Sequence, residues 1–321
     1  ALSFMMSHYP SAYSEDRTKG TNAIRQYLGN LKNAGSLYGR IIYNKAPIMM
    51  RQLEYLLGEA VFQEGIQEYI KTYQNSNADW NELVSILDKK AKGKIKSWSD
   101  VWVNSSGRPI FKEDIEYNEK GEVTKFIIHQ KAEDGSNKIW TQSFKIQLID
   151  ARGYVKNIDI KNMGNSFDIT FATKDFKPVQ VLYNTNGFGY GVFPVYENKI
   201  YEYQNINDEV SRGYQFINLY ENMLNGTISP LQTYRVYLKA IYSERNELIT
   251  NYLSGRMQAI FWTFLTEEQQ NNIQEKTENE ILKLLEKELP SNIKKTLFRL
   301  YESIAISAEG KENLYQIWQK Q

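Results

Sequence analysis

The 321-residue sequence has no cysteine, two histidines, seven prolines and no long hydrophobic run. Without cysteine there are no disulfides, thiolate metal sites, iron–sulfur clusters or Cys nucleophiles, and the redox compartment stays open. His8 and His129 lie far apart in the sequence. A catalytic zinc site usually needs at least two imidazoles, often four apart on one helical face, and no HExxH is present. A Ser–His–Asp relay would have to recruit one of two isolated rings. The chain alone is therefore a poor candidate for a self-sufficient hydrolase. No stretch of about 18 apolar residues exists to span a membrane. The apolar start, Ala1-Leu2-Ser3-Phe4-Met5-Met6, is short and lacks the basic lead of a signal peptide. It also lacks an initiator methionine, which suits an excised fragment. An excess of one charge is missing too: 39 Lys and Arg stand against 38 Asp and Glu. Neither nucleic acid nor a membrane surface would be drawn by such a balance.

What the chain does have is a composition able to bury cores, 41% hydrophobic and 24% charged. Its length suits two or three domains at about 150 residues each, and its texture changes twice. Residues 1–20 read as loop, with Ser, Pro and Gly. From Asn44 to Tyr73 the pattern is helical: Ile48, Met49, Leu53, Leu56 and Leu57, then, past Gly58, Phe62, Ile66, Tyr69 and Ile70. Asp79-Trp80-Asn81-Glu82 is a capping box in front of Leu83, Ile86 and Leu87. The basic run 89–96 reads as a solvated helix end. Trp98 and Trp102, four apart, share a helical face and are expected in a core.

After the turn Ser105-Ser106-Gly107-Arg108-Pro109 the period falls to two. Stretches 123–130, 138–149, 154–160, 166–172, 179–183 and 191–195 read as strands of an antiparallel sandwich. Glycines 187, 189 and 191 invite a phosphate-loop reading, but neither a Walker lysine nor a following helix supports it. From about Asn205 the helical period returns. Ser229-Pro230-Leu231-Gln232 starts a helix, Leu289-Pro290-Ser291-Asn292 stops one and restarts another, and Ser307 caps the last. The expected organisation is helices over 1–104, a β-sandwich over 105–196 and stacked helices over 197–321, a multidomain α+β fold.

The stretch Tyr43-Asn44-Lys45-Ala46-Pro47-Ile48-Met49-Met50-Arg51-Gln52-Leu53-Glu54 resembles a segment of the M1 (gluzincin) aminopeptidases, where a tyrosine followed by x-Lys-Gly opens a long helix. The resemblance continues through Leu57-Gly58-Glu59, Phe62 and Gly65-Ile66-Gln67-Glu68-Tyr69-Ile70 to Trp98, Trp102 and Gly107-Arg108-Pro109. It resumes at Gly226-Thr227-Ile228-Ser229-Pro230, Glu244 and Ile304-Ala305-Ile306-Ser307-Ala308-Glu309-Gly310. It implies the helical end of a thermolysin-like catalytic domain, then an antiparallel β-sandwich, then a C-terminal helical superhelix. Ala46 stands where the family prefers glycine. The family's HExxH and zinc-ligand glutamate, expected upstream of the tyrosine, are not among the 42 residues before Tyr43.

By this resemblance Tyr43 is the tyrosine whose hydroxyl stabilises the oxyanion formed when a zinc-bound water attacks a peptide carbonyl. A phenol, with a pKa of about 10 in water, is a neutral donor at pH 7 and can meet charge that develops in the transition state. Tyr38 is a candidate to line the same cleft. Read from the residues alone, Tyr43 is one of 23 tyrosines packing its ring and wetting its hydroxyl at a helix start. Glu54, Glu59 and Glu64, five apart, drift around a helix and converge on nothing. The resemblance thus implies a region that holds no cofactor itself, works with zinc held by an upstream catalytic half of the same protein, and is inactive alone on peptides. The alternative is a non-catalytic scaffold binding a protein partner through its helical domain. The abundance of Lys, Asn, Ile and Tyr points to a low-GC bacterial source.

Overall fold

The computed structural model describes residues 1–30, 32, 34–174 and 176–319, without the side chains of Ala34, Ser36 and Asn162. The chain divides into two compact units, Ser3–Pro194 and Val195–Gln321. The expected division at 104/105 falls inside the first of them.

The first unit begins with α1 (Leu2–Asp16), α2 (Ala34–Leu37) and a π-helical turn (Ile41–Lys45) that runs into α3 (Ala46–Leu57). Then come α4 (Glu59–Tyr73), α5 (Trp80–Lys90) and α6 (Ile95–Trp102). The stretch read as an N-terminal loop is therefore a 15-residue helix that contains Pro10. Its face Met5, Tyr9, Ala12, Tyr13 and Asp16 is buried at helical spacing, and this packing outweighs the helix-breaking tendency of the proline. Gly58, at φ 82°, separates α3 from α4. The capping box at Asp79 and Glu82 forms as read from the sequence. Trp98 and Trp102 are buried and stacked, with ring centroids 5.8 Å apart.

Two three-stranded antiparallel sheets follow. One has the order β1 (Pro109–Tyr117), β2 (Val123–Ala132), β5 (Ser166–Asp168); the other has β4 (Val155–Met163), β3 (Gln142–Asp150), β6 (Pro178–Tyr183). α7 (Thr170–Thr173) ends what the sequence suggested as a longer fifth strand. Phe111 of β1 stacks on Phe193 and meets Phe144 of β3 edge-on, so aromatic rings fill the space between the two sheets. Two strand expectations fail. β1 was unread, and residues 191–195 contribute one parallel bridge, Val192 to Ile110, instead of a strand. Gly191 explains the second case: at φ 139° it lies so close to β1 that a Cβ would come within 2.6 Å of the Pro109 carbonyl oxygen.

The second unit opens with a 3₁₀ helix (Glu197–Asn205) and continues as α8 (Glu209–Leu224), α9 (Pro230–Ser243), α10 (Glu247–Thr263), α11 (Glu267–Glu286), α12 (Ser291–Ile304) and α13 (Ala308–Gln319). The helices interlock, α9 packing on α8, α10 and α11, and α12 on α10 and α11. Ser229 accepts from the Gln232 amide at the start of α9, and Ser307 accepts from Gly310 at the start of α13, the two caps expected from sequence. Helices and antiparallel sheets followed by a run of helices make up the multidomain α+β class that the sequence implied.

Candidate functional site

The π-helical turn Ile41–Lys45 sends its side chains two ways. Ile41 and Lys45 are buried, while Tyr43 points to solvent with 58% of its surface exposed. A wider π turn inserted before an α-helix commonly re-aims a side chain at a functional position. The Tyr43 amide donates to the Gly39 carbonyl, and the Tyr38 ring lies 6.0 Å from the Tyr43 ring. The two tyrosines named from the sequence are thus brought together on an exposed surface. Among the described residues the Tyr43 hydroxyl has no hydrogen-bond partner and is free to donate.

Beneath this turn is a pair that sequence reading missed. Lys45 Nζ lies 2.7 Å from Asp16 Oδ2, and both side chains are wholly buried. Both groups have further partners nearby. Lys45 also donates to the Gly107 carbonyl at 2.7 Å, and the Tyr190 hydroxyl donates to Asp16 Oδ2 at 2.7 Å. Asp16 Oδ1 accepts from Thr21 Oγ1 at 2.7 Å and from the Gly107 amide. Burial pulls the Lys45 pKa down, and Asp16 offsets only part of that. Burial likewise pushes the Tyr190 phenol well up, with Asp16 adding to the effect. This network ties the π turn to α1 and to the Gly107 turn, where Arg108 makes a two-pronged bond to Glu133. Farther along α3, Gln52 donates to the Ser143 and Phe188 carbonyls and accepts from the Ser143 amide, fixing the helix against the sheet. Tyr43 therefore projects from a turn held on its inner side by a satisfied ion pair. The clue in the sequence was the helical spacing of Met5, Tyr9, Ala12 and Asp16.

The remaining candidates have structural duties. Glu54, Glu59 and Glu64 are exposed and do not converge. The glycine-rich 184–191 segment serves as a docking loop. Asn184 pairs with the Gly189 amide and carbonyl, and the Gly187 carbonyl accepts from Tyr9. His8 approaches Asn44 at 3.2 Å with its ring against Phe4, and His129 sits on β2, paired in register with Lys112. Among the described residues no group of three or more His, Asp or Glu side chains is gathered for a metal. The described residues alone therefore do not fit a zinc site. No helix among the described residues is long and apolar enough to cross a membrane.

Residues 2–102 match the sequence model of the Peptidase family M1 domain. Aminopeptidase N of Streptomyces lividans is 28% identical over 121 residues, which is 38% of this chain and 14% of that protein. Probable aminopeptidase 1 of Sulfurisphaera tokodaii is 20% identical over 262 residues, 81% of this chain and 31% of that protein. The crystal structure of Legionella pneumophila aminopeptidase A in complex with aspartic acid superposes with a TM-score of 0.57 at 14% identity, covering 93% of this chain and 39% of that one. The chain thus spans less than two fifths of the length of each of these relatives.

Proposed function

We propose that this chain, a region related to the M1 aminopeptidases, supplies the oxyanion-stabilising hydroxyl and part of the peptide cleft of a longer zinc aminopeptidase that removes N-terminal residues from peptides. Tyr43 is the donor, and Tyr38 flanks it. Zinc would be held by an upstream catalytic half of the same protein, so this chain alone is inactive. By role we divide the chain into a helical part of the catalytic domain (1–104), a sandwich spacer (105–196) and a helical superhelical wall (197–321).

One observation carries this reading: Tyr43 presents to solvent a hydroxyl with no partner among the described residues, from a turn whose inner side is fixed by Lys45 and Asp16. A phenol held this way can donate to a carbonyl oxygen as that oxygen gains negative charge, without reorganising at the moment of reaction. The donor must not move, and the ion pair below supplies that rigidity.

The test is Tyr43→Phe in the longer protein, measured as turnover of an aminoacyl anilide. Loss of one such donor lowers kcat by roughly 10²–10³, with thermal stability unchanged because the hydroxyl is exposed and has no partner among the described residues. The 321-residue chain by itself shows no turnover and no stoichiometric zinc. Full turnover in the Phe variant would remove Tyr43 from the mechanism, and turnover by the isolated chain would overturn the division of labour. The scaffold reading draws on a different feature, the exposed Tyr315 and Trp318 on α13. It predicts a longer protein with no turnover at all.

A further inference from the structure

Within the second unit, α9 and α11 pack on each other, and a cavity of about 760 Å³ opens beside them, bounded at one side by the 3₁₀ helix. That volume suits a small organic molecule. Arg235, Leu238, Lys239 and Tyr242 line it from α9 at i, i+3, i+4 and i+7, and Ile273, Lys276, Thr277 and Glu280 do so from α11 at the same spacing. Each helix turns one continuous face to the cavity.

Two features of the lining are unusual. The first is charge. Arg235, Lys239, Lys276 and Lys283 face the cavity against Glu280 alone, although residues 197–321 as a whole hold 14 basic and 17 acidic side chains. Lys276 lies 3.8 Å from Glu280, whereas Arg235 and Lys283 make no ion pair among the described residues. The second is its floor. Tyr234 and Thr277 line the cavity, are almost fully buried, and turn their hydroxyls toward each other, tying α9 to α11 beneath the charged side chains. Burial pushes the Tyr234 pKa up, and the contact with the Thr277 hydroxyl lowers it only in part.

We propose that this cavity binds a small organic anion, a carboxylate or a phosphate ester carrying an aromatic or aliphatic body. Arg235 and Lys283 neutralise its charge, and Tyr201, Leu238 and Ile273 cover its body. The site lies wholly within the second unit and does not depend on the role given to Tyr43.

Titration calorimetry of the 321-residue chain with 4-phenylbutyrate, phenyl phosphate and the uncharged 4-phenyl-1-butanol tests this. At least one anion binds, the alcohol binds about tenfold more weakly or not at all, and the stronger anion identifies the head group. Arg235→Gln with Lys283→Gln weakens the anion about tenfold or more, as expected for loss of charge-assisted bonds. The proposal fails if the alcohol binds as well as the anions, if neither anion binds at millimolar concentration, or if the double variant binds as before.

Discussion

At the scale of single residues, the most consequential contact is the one least visible beforehand. Lys45 follows the candidate tyrosine by two positions, and in sequence it reads as one more basic residue on a polar helix start. Its burial depends on Asp16, 29 positions earlier, in a stretch whose Ser, Pro and Gly content disguised a helix. Tyr43 itself was legible through its motif, but the means of holding it was not, because an ion pair between distant residues leaves no periodic trace. The pair makes a sharp prediction. Asp16→Asn leaves the Lys45 ammonium buried without its counter-charge and destabilises the first unit by about 3–5 kcal/mol in urea unfolding. Adding Lys45→Met to that variant removes the stranded charge and recovers much of the loss. If Asp16→Asn unfolds at the same urea concentration as the parent, the pair does not hold the turn.

Whole elements were read well where period and punctuation agreed. α3, α4 and α5 follow their apolar stripes, Gly58 and the Asp79 box mark their ends, and Ser229 and Ser307 cap the helices they were expected to cap. β1 escaped because Lys112, Glu113, Asp114 and Glu116 hide its alternation along a half-exposed strand. Residues 191–195 misled in the opposite direction: Val192, Phe193 and Val195 look like a strand, yet Gly191 and Pro194 confine the pairing to a single bridge. The attachment of α13 shows how a loop motif becomes intelligible once folded. Glu278 of α11 is buried and accepts from the Ile306 amide, the Ser307 amide and the Ser307 hydroxyl, and a Cβ on Gly310 would collide with its carboxylate. The run Ile306-Ser307-Ala308-Glu309-Gly310 therefore wraps a carboxylate from another helix at the N-terminus of α13, where the helix dipole favours negative charge. Glu278→Gln loses part of that stabilisation, and Gly310→Val displaces the carboxylate altogether. Both variants lower stability by roughly 1–3 kcal/mol, and amide hydrogen exchange in α13 rises before that in α9 or α10. Unchanged protection of α13 in Gly310→Val would contradict the wrap.

Across the whole molecule, the abundance of tyrosine sets the response to alkali. Tyr9 and Tyr190 in the first unit, and Tyr203, Tyr234 and Tyr237 in the second, are buried, and burial raises each phenol above its ordinary value of 10.0. Three of these hydroxyls also donate, Tyr9 to the Gly187 carbonyl, Tyr190 to Asp16 and Tyr237 to the Phe216 carbonyl, so ionisation would cost both desolvation and a bond. A raised folded-state pKa means that the folded chain keeps protons that the unfolded chain gives up. The stability these phenols contribute is fully present below pH 10 and declines as pH rises beyond it, by about 1.4 kcal/mol per pH unit for each phenol. Lys45 works the other way, since its lowered pKa makes stability rise toward its ordinary value of 10.5, but in the first unit it is one group against two phenols. Domains are stabilised by about 5–15 kcal/mol in all, so the second unit, with three such phenols, is expected to unfold within roughly one to four pH units above 10, and the first, with two, within roughly two to five. The buried phenols then ionise together with loss of structure. Tyrosinate absorbance at 295 nm and far-UV circular dichroism, followed in parallel from about pH 9 to 12, check this directly. The share of the tyrosinate amplitude that belongs to the buried phenols appears in step with helix loss. Complete ionisation of all 23 tyrosines with helicity intact would mean that the buried phenols do not govern stability in alkali.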